Sequence, residues 1–140
     1  MRQILLFAAL AASLALLSGC TLSKAKADTA EDMSDKAAYH KLSAEEAYEM
    51  MASQEVVVVD VRTREEYDGG HIENAVLVPN ESIDSEMPEA LPDKEATLLV
   101  YCRSGRRSKD AAQKLLELGY QSVYDFGGVI DWPYELVKEG

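Results

Sequence analysis

Cysteine is scarce in this 140-residue chain, with only Cys20 and Cys102 present. The multi-bridge disulfide framework on which small exported domains often rely is therefore excluded. Basic residues are also few, 14 Lys plus Arg against 25 Asp plus Glu, for a formal net charge of −11. Such a surface repels phosphate backbones, which removes nucleic acid from the expected partners. It equally disfavours flat adsorption onto anionic lipid. Long apolar runs are missing except for Ile4 to Leu17, and that run is too short for a spanning helix with polar flanks. Aromatic residues make up only 7% of the chain, and Trp132 and the seven tyrosines read most simply as core and surface fill.

The one apolar run has a meaning of its own. It follows a single Arg2 and ends in Leu17-Ser18-Gly19-Cys20, the order of basic, apolar and small residues found in secretion signals. This end resembles a bacterial lipobox. The resemblance implies cleavage before Cys20 and conversion of its thiol to a diacylglycerol thioether, with an ordinary signal peptide or an uncleaved anchor as the alternative. Residues 1–19 are then the signal, and the remaining 121 carry a charge of −12, because Arg2 is lost and the removed segment holds no acidic residue. From Thr21 to about Ala38 there is no aromatic or β-branched aliphatic residue, so residues 20–38 read as a lipidated cysteine and a flexible tether. Residues 39–140 have the size of one compact domain, exported, held at a membrane by lipid on Cys20, facing the periplasm or the cell surface, and taken as a monomer. Cys102 is left as its only thiol.

Strand-like and helix-like stretches alternate through this domain. A short strand is expected at Tyr39 to Leu42. Ser43-Ala44-Glu45-Glu46 fits a capping box opening a helix to about Ala52. Val56 to Val61 has no polar face before Asp60, as in a strand buried on both sides of a parallel sheet. Thr63-Arg64-Glu65-Glu66 is a second capping box, whose helix stops at Gly69-Gly70. Ala75 to Val78 and Thr97 to Tyr101 are further strands, separated by an irregular acidic stretch from Asn80 to Glu95. Ala111, Leu115 and Leu118 mark the apolar face of a helix capped by Gly119, and Ser122 to Phe126 is a fifth strand. Gly127-Gly128 turns into an expected last helix that carries Trp132. The alternation implies an α/β sandwich with a mainly parallel sheet.

The fourth strand runs without a spacer into Cys102-Arg103-Ser104-Gly105-Arg106-Arg107-Ser108. Active sites of parallel sheets lie at such carboxyl ends. Six residues that include a glycine can turn successive N–H groups inward, forming an anion nest backed by a helix N-terminus. A thiolate there is stabilised, so its pKa falls below about 8.5. Arg103, Arg106 and Arg107 add three cations where stability alone favours acidic residues, so an anion is expected to bind. The plainer readings are a solvated helix start and a buried structural cysteine.

Several separated motifs together resemble the rhodanese family from about Tyr39 to Glu135. They are Asp60-Val61-Arg62 with Glu65 and Tyr67, Gly70-His71-Ile72 with Ala75, the loop from Cys102 to Ser108, and Gly127-Gly128 to Trp132. The resemblance implies a three-layer sandwich around a five-stranded parallel sheet, with Cys102 as a sulfur-accepting nucleophile. Arg103, Ser104, Gly105, Arg106 and Arg107 would bind the persulfide and a small anionic donor such as thiosulfate. A thiol or cyanide would accept the sulfur. Asp60, Arg62 and Ser108 would stand behind the residues that touch the sulfur, Asp60 and Arg62 beside the loop at the end of a neighbouring strand, with the Asp60 carboxylate orienting Arg62 or a loop amide. Cysteine phosphatases of this fold carry arginine six positions after the cysteine, where this chain has Ser108, and the six-residue loop Cys102 to Arg107 is the size associated with sulfurtransferases. No metal or organic cofactor is implied, since the sulfur chemistry belongs to the cysteine. His71 invites a general-base role that a persulfide mechanism does not need, and a structural bond near the Gly70 turn is the preferred expectation. A persulfide carrier fed by another protein and a non-catalytic binding module remain as alternatives. A redox enzyme is disfavoured, because Cys102 has no internal resolving thiol.

Overall fold

The computed structural model describes residues 38–138. The expected signal, Cys20 and nearly all of the tether lie outside them. Five strands form one sheet: β1 (His40–Lys41), β2 (Val57–Asp60), β3 (Val76–Leu77), β4 (Thr97–Cys102) and β5 (Ser122–Gly128). Their order is β1-β5-β4-β2-β3, with every neighbouring pair parallel. Parallel neighbours require crossovers, and helices supply several of them. These are α1 (Ala44–Ser53), α2 (Arg64–Asp68) and α3 (Arg106–Glu117).

Both capping boxes form as expected. Ser43 Oγ accepts from the Glu46 amide while the Glu46 carboxylate takes the Ser43 amide, and Thr63 and Glu66 repeat the exchange at α2. The sheet is covered on both faces, as the unbroken valine run of β2 requires. Alternation along β4 separates the two layers. Leu98, Val100 and Cys102 pack with Val59, Val61, Val123 and the α3 residues Ala111, Ala112 and Leu115. Leu99 and Tyr101 face the other way, with Val58, Ala47 of α1, Tyr67 of α2, Phe126 and Trp132.

The chain after β5 differs from expectation. Where a last helix was expected, Val129–Asp131 makes a single 3-10 turn, and Trp132 lies just past it. Pro133 follows at once, and the chain then runs extended enough for Val137 to bridge His71. Proline's missing N–H and fixed φ stop a helix from propagating through this point. The irregular stretch from Asn80 to Glu95 holds one further 3-10 turn, Asn80–Ser82. No helix among the described residues is long and apolar enough to cross a membrane.

Candidate active site

Cys102 ends β4, 1% exposed and a free thiol, on the α3 face of the sheet. The residues after it wrap round its sulfur. Gly105 has φ of 98°, a left-handed conformation that a side chain would strain, and this turns its N–H onto Cys102 Sγ at 3.0 Å. The next residue, Arg106, already belongs to α3, which has no side-chain cap at its N-terminus. Unspent amides there suit an anion. Burial pushes the Cys102 thiol up, but the Ser108 hydroxyl and the N–H groups of Ser108, Gly105 and Ser104 hold it below its ordinary value.

The loop rests on the end of β5. A register shift between Val100 and Cys102 sets Cys102 opposite Gly128. There the Arg103 carbonyl accepts from the Ile130 amide at 3.2 Å, and a Cβ on Gly128 would collide with that carbonyl and with the Ser104 amide. Gly127-Gly128, read from the sequence as a turn into a helix, is thus the platform on which the sulfur loop lies.

The three arginines are not equivalent. Arg103 and Arg106 are exposed and form no ion pair among the described residues. Arg107 is clasped by Glu66 through two bonds, 2.7 Å and 2.8 Å. The guanidinium of Arg107, helped by the Thr63 amide and against the pull of burial, lowers the Glu66 carboxyl to about 2. Beside this clasp, Asn80, Glu81, Arg106, Arg107 and Asp110 line a hollow of about 380 Å³. A larger one of about 420 Å³ lies at the opposite end of the strands, among Glu55, Val57, Asp93 and Leu98, with no cysteine in its wall.

Asp60 orients Arg62, one of the two roles expected of it, but neither side chain lies beside the sulfur loop. Both are buried, but their bonds stay on the other face of the sheet: Arg62 Nη2 to Asp60 Oδ2 at 2.6 Å and to the Gly70 carbonyl at 2.7 Å, and Tyr101 O–H to Asp60 Oδ2 at 2.6 Å. None of these bonds reaches the Cys102 loop. The parity of the sheet explains this, because Asp60 pairs with Tyr101 and so points away from Cys102. His71 is structural in the way expected: its Nδ1 donates to the Tyr67 carbonyl at 2.9 Å, and its ring stacks on Tyr67 at 3.6 Å.

The carboxylate near the sulfur is Asp125 of β5, which sequence reasoning passed over. It is fully buried, accepting from Ser108 Oγ at 2.6 Å, the Gly127 amide at 2.9 Å, Tyr39 O–H at 2.6 Å and Lys41 Nζ at 3.2 Å. Its signal was a lone acid inside the strand Val123-Tyr124-Asp125-Phe126, since a charge in a buried strand needs partners. Among the described residues, no group of three or more His, Cys, Asp or Glu is placed to hold a metal ion.

A buried thiol in a nest of amides at the end of a parallel strand narrows the choice of family, and comparison with known proteins decides it. The model of the Rhodanese-like domain matches residues 43–133. This chain belongs to that family. Among solved structures it is similar to a rhodanese from E. coli (35% identity, TM-score 0.55, covering 61% of this chain and all of that one). A human single-domain sulfurtransferase matches at 28% identity and TM-score 0.59, over 66% of this chain and 93% of that one. Among curated proteins it resembles the tRNA uridine(34) hydroxylase of Yersinia pestis, 32% identical over 106 residues, 72% of this chain. The matched region spans only 30% of the length of that relative.

Proposed function

We propose that this rhodanese-family chain is a sulfurtransferase that carries sulfane sulfur as a persulfide on Cys102. The observation that carries the reading is the Gly105 amide held 3.0 Å from one buried sulfur at the open N-terminus of α3, and the neighbouring amides of Ser104 and Ser108 help to hold that thiol below its ordinary pKa. Amides so arranged stabilise negative charge without reorganising, and a persulfide is a cysteine sulfur extended by one anionic atom.

The Cys102 thiolate attacks the outer sulfur of thiosulfate or a related donor, a new S–S bond forms, and the donor's S–S bond breaks to release sulfite. Cyanide or a thiolate then attacks the outer sulfur of Cys102-S-S⁻, forming thiocyanate or a new persulfide and returning the Cys102 thiolate. The exposed Arg103 and Arg106 draw the anionic donor to the loop. The hydroxylation named for the Yersinia relative is not carried over, since most of that protein has no counterpart in the matched region. Lipid on Cys20 and the tether behind it would hold the domain, as a monomer, at a bacterial membrane, facing the periplasm or the cell surface. The apolar run and its Leu17-Ser18-Gly19-Cys20 ending support that part of the reading, and labelled palmitate incorporated by the wild type but not by Cys20→Ser tests it.

Intact-mass spectrometry before and after thiosulfate, with Cys102→Ser alongside, tests the chemistry. A gain of about 32 Da, removed by cyanide with formation of thiocyanate and absent from the serine variant, is expected. No gain would overturn the thiosulfate reading and favour a carrier charged by a partner protein or a binding module.

A further inference from the structure

Ser108 has one hydroxyl proton and several claimants for it. Its oxygen lies 2.6 Å from Asp125 Oδ1, 3.1 Å from the Gly105 carbonyl, 3.2 Å from the Gly127 carbonyl and 3.6 Å from Cys102 Sγ. Asp125, the closest and the only carboxylate among them, accepts the hydroxyl hydrogen bond. Ser108 then turns a lone pair towards sulfur, which suits a thiol donating S–H but repels a thiolate or persulfide. Asp125 does not depend on Ser108, since the Gly127 amide, Tyr39 and Lys41 remain bonded to it.

We infer that Asp125, backed by Lys41 and Tyr39, governs the direction of the Ser108 hydroxyl, which turns from Asp125 to the sulfur whenever Cys102 carries negative charge. The thiol proton leaves to solvent base, and Ser108 keeps its own proton and only redirects it. Lys41 is the controlling cation. It lies 3.9 Å from where a Gly105 Cβ would stand and 3.5 Å from the same point on Gly127, against the loop yet with its side chain 53% exposed. Its charge weakens the hold of Asp125 on Ser108 and so lowers the cost of turning the hydroxyl. The other charged group facing Cys102 is Arg107 from α3, itself clasped by Glu66 of α2, while the loop cations Arg103 and Arg106 are exposed. None of them bonds to Ser108 or Asp125, so Lys41, Asp125 and Tyr39 form a separate positioning chain on the β5 side.

The inference adds to the persulfide reading but is tested without it, through the pH dependence of Cys102 alkylation by iodoacetamide in the full chain. The Cys102 peptide is followed by mass spectrometry so that Cys20 does not contribute. Ser108→Ala is expected to raise the apparent thiol pKa by about one unit, the loss of one hydrogen bond to a charged group. Lys41→Met is expected to raise it as well, Lys41→Arg to restore it, and Asp125→Asn to lower it. The deciding measurement is the double variant: with Ser108→Ala already present, Lys41→Met should shift the profile by less than half of its effect alone. Equal shifts with and without Ser108 would mean that Lys41 acts by its charge through space, and the hydroxyl switch would be overturned, as it would be by no shift in Lys41→Met. Lys41 is exposed enough that its variants keep the test open if Asp125→Asn does not fold. A normal alkylation profile in a protein that gains no sulfur would count against the persulfide reading alone.

Discussion

Replacing Glu66 by Gln isolates the charge that clasps the sulfur loop. Glutamine still closes a capping box through its side-chain oxygen, so α2 keeps its N-terminus while Arg107 loses a carboxylate held at 2.7 Å and 2.8 Å. A carboxyl held at about 2 against an ordinary 4.5 sets a ceiling of about 3 kcal/mol on its pH-linked contribution. The side chains of Arg107 and Glu66 are 27% and 30% exposed, and solvent screening brings the expected loss to about 1–2 kcal/mol at pH 7. Because folding lowers this pKa, the stabilisation is complete above about 4.5 and disappears as pH falls towards 2. Urea unfolding of the wild type and Glu66→Gln at pH 7, 5 and 3, followed by Trp132 fluorescence, should give a gap that is constant from 7 to 5 and smaller at 3. A gap of the same size at pH 3, or none at pH 7, would refute the charge argument. Freed from Glu66, Arg107 is also available to an anionic donor, so the KM for thiosulfate is expected to fall.

Other perturbations separate the loop from the scaffold. Gly128→Ala drives a Cβ into the Arg103 carbonyl and Ser104 amide, and is expected to abolish the Gly105 bond to sulfur, raise the Cys102 pKa in alkylation profiles and stop persulfide formation. Arg62→Met leaves Asp60 buried and without its cation, at a cost of about 3–5 kcal/mol in urea unfolding, yet should leave the Cys102 alkylation pKa unchanged because the pair lies on the opposite face. Leu115→Ala empties a fully buried position beneath α3, and a loss of about 2–5 kcal/mol is expected from chemical denaturation.

What the sequence determined by itself was whatever depends on near neighbours in the chain. Ser43 with Glu46 and Thr63 with Glu66 specify two helix starts, the valine run specifies a strand covered on both faces, and Cys102 to Ser108 specifies a nest, since each is closed within a few residues. The end of β5 was misread for the same reason. Gly127-Gly128 followed by an apolar stretch is locally compatible with a helix, and only the approach of the Arg103 carbonyl to Gly128 shows what the glycines are for. Tertiary structure alone decided which charges meet. Strand parity sent Asp60 to Tyr101 and away from Cys102, an ion pair between helices on opposite faces of the sheet gave Arg107 to Glu66, 41 residues away, and the pairing of β1 with β5 brought Lys41 to Asp125 across 84. Electrostatic contacts of this kind depend on distance in space, and separation along the chain does not encode it.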